Sequence, residues 1–222
     1  MRFLGIDIGV KNLALCILEE PTYDDQNELR YSEPIFWKDI SILDEPPTCQ
    51  VVGCSHLSKW KNEVNKTVCG VHKGRAKLFK ELEEIKIRKV EEYTPFEIQV
   101  RLIETLNKYP ELCDIDYSFI ENQPKDNGYM KAFAASVFTY FTNYAYVMKT
   151  ENRRLREISY ISATKKTKNI PLMGDVFQST KKGSYAKRKE TAKVYCREYC
   201  EVYMKQMVSY FDSHRKKDDL AD

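Results

Sequence analysis

Arg2-Phe3-Leu4-Gly5-Ile6-Asp7-Ile8-Gly9-Val10-Lys11-Asn12-Leu13-Ala14-Leu15-Cys16-Ile17-Leu18 is the stretch whose reading decides the fold. Arg2 to Ile8 is short, apolar and ended by Gly9, the pattern of a strand. Asn12 to Leu18 is apolar again and reads as a second strand, so Gly9-Val10-Lys11-Asn12 is a tight turn between them. Tyr31 to Ile42 alternates loosely as a third strand until Glu45-Pro46-Pro47-Thr48 breaks it. Ala76 to Val90, with Leu78, Leu82, Ile85 and Ile87, has a helical period. Thr94-Pro95-Phe96-Glu97 is a capping box with Pro at the first helical position, opening a helix to about Lys108. Tyr117 to Glu121 is the next strand. Met130, Phe133, Ala134, Val137, Phe138, Phe141 and Ala145 mark an amphipathic helix from Met130 to Met148. Glu157 to Ile161 reads as a strand, Asn169 to Ser184 as a basic loop, Tyr185 to Phe211 as one long helix, and Lys217 to Asp222 as the start of another. Strands followed by alternating helices and strands describe an α/β sheet covered by helices.

Four carboxylates punctuate this order. Asp7 and Glu121 stand at the ends of strand-like apolar runs, and Asp219 and Asp222 are three apart, on one helix face. Acids so placed converge on hard cations. Mg²⁺ takes a few carboxylates and fills its remaining positions with water and substrate phosphate, and two such ions form a clamp for in-line attack on a phosphodiester. The chain therefore reads first as a metal-dependent nuclease. Taken singly, each acid is as well explained as a turn former, a cap or a lysine partner; the set of four in this order favours catalysis.

Composition bounds the rest. At 222 residues, with 42% hydrophobic residues, one domain with an insertion is expected. The net charge of +3 says little, but between Lys149 and Lys193 thirteen Lys/Arg stand against four acids, a footprint for a polyanion. Seven cysteines with no secretory leader point to reduced thiols inside a cell. The aromatic stretch Tyr129 to Met148 is too polar to cross a membrane. Cys49-x4-Cys54 and Cys69-x2-His72 have zinc-site spacing. Here ligation would supply the folding energy that the weakly apolar Cys49–Lys73 insert lacks. His56 is an alternative ligand. Trp60 with Lys59, Lys61, Lys66 and Lys73 offers a DNA contact. Cys16, Cys113, Cys196 and Cys200 fit core or helix positions.

Leu4-Gly5-Ile6-Asp7-Ile8-Gly9, Ile120-Glu121-Asn122-Gln123, Gly183-Ser184-Tyr185-Ala186-Lys187-Arg188-Lys189 and Asp218-Asp219-Leu220-Ala221-Asp222 together resemble RuvC-type Holliday junction resolvases of the RNase H-like superfamily. The nearest likeness is to the poxvirus and large-DNA-virus branch and to the mitochondrial resolvases of fungi. The resemblance spans residues 1–222 except the insert at 49–73. It implies an RNase H-like mixed five-stranded sheet flanked by helices, with a small Cys/His insert. It implies that Asp7 bridges two Mg²⁺ ions (Mn²⁺ substituting), that Glu121 ligates one, and that Asp219 and Asp222 complete the cage, with Asp218 as an outer helper. Lys189 or Arg188 would neutralise charge on the scissile phosphate. Lys165, Lys166, Lys181, Lys182, Lys187 and Arg188 would hold DNA. The implied activity is paired symmetric nicking of four-way DNA junctions by a homodimer, with the aromatic helix after Glu121 at the interface. The insert and its zinc are not inherited from that family.

Two other classes compete. Actin-like ATPases and sugar kinases share the Asp-x-Gly strand turn, but they need a second glycine-rich loop, which eight glycines here do not supply. A non-catalytic nucleic-acid-binding module of the same fold is the other. The expected setting is cytoplasmic or a viral replication site, and a mitochondrial one is disfavoured because no presequence precedes the first strand.

Overall fold

The computed structural model describes residues 1–74, 81–123, 126–147, 155–162, 185–214 and 216–221. In chain order its strands and helices are β1 (Arg2–Ile8), β2 (Asn12–Glu19), β3 (Thr22–Tyr23), β4 (Leu29–Arg30), β5 (Phe36–Ser41), β6 (Trp60–Lys61), β7 (Thr67–Val68), α1 (Gly70–Lys73), β8 (Glu83–Glu84), α2 (Pro95–Leu106), β9 (Tyr117–Glu121), α3 (Gly128–Val147), β10 (Glu157–Ile161), α4 (Tyr185–Tyr203), α5 (Met207–Ser213) and α6 (Lys217–Ala221). The chain divides into two compact units, Met1–Ile42 with Gln99–Asp222, and Leu43–Ile98. The second unit takes in the 49–73 insert and reaches further on both sides.

The larger unit is built on a mixed five-stranded sheet in the order β10-β9-β1-β2-β5. β1 runs antiparallel to β2 and parallel to β9, β2 is antiparallel to β5, and β10 is parallel to β9. The mixed five-stranded α/β architecture expected from the sequence is present. Gly9 makes the β1–β2 turn possible, because a Cβ there would lie 2.6 Å from the Asn12 carbonyl oxygen. Alternation along β1 sends Leu4, Ile6 and Ile8 into a fully buried face. α3 covers that side, with Phe138 stacked on Tyr160 of β10 at 5.4 Å and Phe133, Ala134, Val137 and Phe141 buried. At the start of the sheet Asp116 is buried; its carboxylate accepts the Arg2 backbone N–H at 2.8 Å and lies 3.6 Å from the Arg156 guanidinium, tying β1, β9 and β10 together.

The opposite face carries Gly5, Cys16 and Trp37, which pair across β1, β2 and β5. Helices α4, α5 and α6 close over it, burying Trp37, Cys200, Met204, Phe211 and Leu220 together. Trp37 stacks on Phe211 at 5.9 Å, and its indole Nε1 donates to the Leu220 carbonyl at 3.1 Å. The Tyr210 hydroxyl donates to the Trp37 carbonyl at 2.5 Å. Cys16, in this core, has its thiol pushed up to about 12 by burial and then by the nearby Cys200. That makes it an inert core thiol.

Three expectations are corrected. The helix read over Ala76 to Val90 does not form in its described part: Glu83 and Glu84 pair with Lys61 and Trp60, and Leu82 packs on the core of the smaller unit. Opposite charges across the strand pair and a place for Leu82 outweigh a helical period made of few apolar residues. Residues 75–80 lie outside the described residues. The third strand is shorter than Tyr31 to Ile42, running Phe36–Ser41. The long helix from Tyr185 to Phe211 is two helices, broken at 204–206. The break turns Phe211 back onto Trp37 while Met204 stays buried at the corner, so tertiary burial overrides local helical pattern. The capping box at Thr94 and Glu97 is present, the Glu97 N–H donating to Thr94 Oγ1 at 3.2 Å and the Thr94 N–H to Glu97 Oε2 at 2.8 Å.

Trp37→Phe keeps most of the apolar contact but removes the donor to Leu220. We expect a loss of about 1–3 kcal/mol in denaturant unfolding, with amide exchange accelerating first in α6. Equal acceleration across α4, α5 and α6 would show that the indole hydrogen bond has no special hold on α6.

Candidate functional site

The register of the sheet assembles the acids. β1 and β9 are paired up to Ile6 opposite Ile120, so the next residues, Asp7 and Glu121, leave adjacent strands side by side on the other face. Asp7 is opposite Ala14 and Ala14 is opposite Asp39. One transverse row thus reads Glu121, Asp7, Ala14, Asp39, all on the face that α4, α5 and α6 cover. Strands are about 4.8 Å apart, so the backbones of Asp7 and Asp39 are separated by roughly 10 Å. Both Asp7 and Glu121 are half-buried. The small side chain of Ala14 leaves room between the acids.

α6 brings the second group to this face, packing against β5 and β2. Lys216, just before it, sits 3.2 Å from Asp39 Oδ2 and 3.8 Å from Asp219 Oδ2. Lys189 of α4 lies 2.7 Å from Asp218 Oδ2 and 3.7 Å from Asp219 Oδ1. Asp218 is held below the usual carboxylate range, first by its hydrogen bond from Lys189. Asp219 is pushed up, first by burial and then by Asp218, with Asp39 adding and the two lysines opposing. A carboxylate whose negative charge is opposed by burial and by other acids is one that a bound cation would relieve. The Asp39 side chain is 6% exposed, yet its Oδ1 is buried with no hydrogen-bond partner among the described residues. This donor set, all oxygen with one buried atom unsatisfied, fits a hard divalent cation such as Mg²⁺ or Mn²⁺.

Of the residues expected from sequence, Asp7, Glu121, Asp219 and Lys189 therefore share one face. Lys189 reaches the two acids of α6, the outer one more closely. Asp222, Lys165, Lys166, Lys181 and Lys182 lie outside the described residues. Lys187 and Arg188 fall in the first turn of α4, and their side chains lie outside them too. Sequence reasoning missed Asp39 and Lys216. The available signal was phase: in Phe36–Ser41, Asp39 stands two residues after Trp37 and so shares its inward face.

The smaller unit holds the second site. Cys49, Cys54, Cys69 and His72 place one ligand atom each within 4.8 Å of one another. Cys69 Sγ lies 3.4 Å from His72 Nδ1 and 3.9 Å from Cys54 Sγ, and Cys49 Sγ lies 3.5 Å from His72 Nδ1. Thiolates at about 2.3 Å from a zinc ion stand roughly 3.8 Å apart at tetrahedral angles, so the four atoms fit that ion. His56 stands beside this set, its Nδ1 3.4 Å from Cys54 Sγ. Burial raises the Cys49 thiol, but backbone N–H groups of Val51 and Cys69, then His72 and Cys54, outweigh it and bring the thiol to about 6. β6, β7 and β8 form a three-stranded sheet around Cys49, Val68 and Cys69, packed by Val51, Trp60 and Leu82. The Lys73 ammonium sits 3.2 Å over the Trp60 ring.

No protein-family model matches this sequence, and no curated protein matches it. Among solved structures the chain is similar to the yeast mitochondrial Holliday junction resolvase, at 14% identity over 99% of this chain and 74% of that one, with a TM-score of 0.45. It is similar also to the fowlpox virus Holliday junction resolvase, at 14% identity over 100% of this chain and 91% of that one, with a TM-score of 0.43. A second fowlpox structure, solved with Holliday junction DNA, matches at 15% identity and a TM-score of 0.41, over 100% of this chain and 90% of that one. No helix among the described residues is long and apolar enough to cross a membrane.

We expect the purified protein to carry zinc, measured by elemental analysis, and Cys69→Ser to lose both the metal and the protease resistance of residues 43–98. The Cys49 thiol is held near 6 against an ordinary value near 9. In the metal-free fold, stability from its thiolate is therefore full above pH 9 and lost as pH falls through 6; bound zinc holds the thiolates to lower pH still, so acidification should release the ion only below that range. A metal-free protein with an unchanged protease pattern would rule out a metal centre here.

Proposed function

We propose that the chain is a divalent-metal-dependent, structure-selective endonuclease that resolves four-way DNA junctions by paired symmetric nicks. The observation that carries this reading is the transverse row of Glu121, Asp7 and Asp39 beneath Asp219, all on one face of the sheet. The motif resemblance supplies the choice of junction DNA. Asp7, Glu121 and Asp219 would hold the ions, with Asp222 completing the set. Bound divalent ions would supply an activated water and charge stabilisation at the leaving oxygen. Lys189, held at the edge of this group by Asp218, would meet the negative charge that develops on the scissile phosphate. The half-buried acids, set under α6, would exclude bulk water from one side of the reacting phosphate.

The basic stretch from Lys165 through Arg188 would follow the DNA backbone, giving binding that falls steeply with salt and reads branch shape rather than bases. Two nicks of like polarity need two sites, so we assign the active form as a homodimer, with α3 as the contact. Zinc at Cys49, Cys54, Cys69 and His72 would be structural, since four protein ligands leave no open position for water.

Purified protein with a synthetic immobile junction should give paired Mg²⁺-dependent nicks, leaving matched linear duplex intact and stopping with chelator. Asp7→Asn should abolish cleavage while junction binding persists in a mobility-shift assay. Lys189→Ala should slow cleavage about 10²- to 10³-fold. ATP turnover without any cutting would instead favour the actin-like reading, and junction binding without cutting a non-catalytic module.

A further inference from the structure

The row of acids contains one member that neither the motifs nor the proposed chemistry uses. The Asp39 side chain is 6% exposed, far more enclosed than Asp218 or Asp219 at 34% and 28%. A buried ionised carboxylate needs a partner cation and a full set of hydrogen bonds. Asp39 has the first, Lys216 at 3.2 Å, and only part of the second: Asn12 Nδ2 stands 3.4 Å from Oδ2, and Oδ1 has no partner among the described residues. The Asn12 amide is shared with Ser41 Oγ at 3.1 Å, so it is fixed in place rather than free to reach Oδ1.

Lys216 in turn lies between two acids on different elements, Asp39 of β5 and Asp219 at the head of α6. Its ammonium thus stands where a small cation bridging the two carboxylates would stand. Lys189 approaches Asp219 from the other oxygen, at 3.7 Å. Both oxygens of Asp219 consequently face a fixed positive charge. Lys189 is engaged mainly by Asp218, at 2.7 Å, whereas Lys216 is engaged more closely by Asp39 than by Asp219.

We propose that Asp39 is a fifth acidic member of this site, a positioning residue that shares the Lys216 ammonium with Asp219 and holds it partly off that carboxylate, so that a cation built into the chain competes, at a strength Asp39 sets, with a divalent ion for Asp219. The inference rests on the reading of Asp7, Glu121 and Asp219 as ion-binding acids. Its consequence is a site that takes up divalent ions weakly in the free protein. A polyanion offering phosphate oxygens to Lys216 would draw the ammonium away and open Asp219, coupling ion uptake to the arrival of nucleic acid.

The test is Mn²⁺ binding to the zinc-loaded full chain without nucleic acid, followed by electron paramagnetic resonance and calorimetry. Lys216→Gln should bind Mn²⁺ at least about tenfold more tightly, as removal of one like charge from a partly enclosed site requires, and Lys216→Arg should restore wild-type affinity. Asp39→Asn should weaken binding, because Lys216 then turns wholly to Asp219. That weakening should shrink in the Lys216→Gln background, since Asp39 acts through the lysine. A merely structural salt bridge would lower the melting temperature in each variant without tightening Mn²⁺ in any.

The failures are separable. Wild-type protein that binds no Mn²⁺, or whose binding is indifferent to Asp7→Asn, overturns the ion-binding reading and this inference with it. Binding that depends on Asp7 but does not tighten in Lys216→Gln overturns the inference alone. If Lys216→Gln does not fold, Lys216→Met decides: tighter Mn²⁺ binding upholds the proposal and unchanged binding sinks it.

Discussion

The hydrogen bond from the Trp37 indole to the Leu220 carbonyl, inside the cluster of Cys200, Met204, Phe211 and Leu220, is the contact on which the rest of the larger unit turns. α6 has five residues, too few to be a stable helix by itself. It holds its shape and place because Leu220 is buried against Trp37 and its carbonyl is captured there. Asp218 and Asp219 precede Leu220 directly, so capturing that residue also aims both acids. The sheet contributes Asp7 and Glu121 by register, and Trp37 contributes the acids of α6 by packing. One aromatic residue on β5 thereby links the core to the acid face.

A face that gathers carboxylates must limit their repulsion. Here the compensation is distributed: Lys189 is set against Asp218, and Lys216 against Asp39 and Asp219. Asp219 is left raised by burial and by neighbouring charge, where Asp218 is lowered by its lysine. That arrangement keeps the face folded with lysine ammonium groups in place while leaving one carboxylate for which added positive charge is favourable. By contrast, Cys16 and Cys200 on the same side of the sheet serve packing alone.

The smaller unit solves its stability by other means. Between residues 43 and 98 the strands β6, β7 and β8 are two residues each, and little apolar surface supports them. Four ligand atoms within 4.8 Å of one another gather the two knuckles and α1 at one point, where a bound metal would supply stability that the small core lacks. The pairing of Glu83 and Glu84 with β6 belongs to the same economy, and it explains why a segment with helical spacing is extended in its described part.

By itself the sequence determined what depends on local pattern. The β1–β2 hairpin, the strands at Tyr117 and Glu157, the capping box at Thr94 and the helix after Gly128 were all legible, because period, turn chemistry and caps act within a few residues. The candidate acids were legible for a related reason: a carboxylate at the end of an apolar run is conspicuous. The tertiary structure alone decided the break at 204–206, the extended course of Glu83–Glu84, and the membership of Asp39 and Lys216 in the acid face. Each of these rests on contacts between residues far apart in the chain, Trp37 with Leu220, Trp60 with Glu84, and Asp39 with Lys216. No spacing rule encodes such contacts, because burial and charge pairing across elements outweigh the weak local preferences they override.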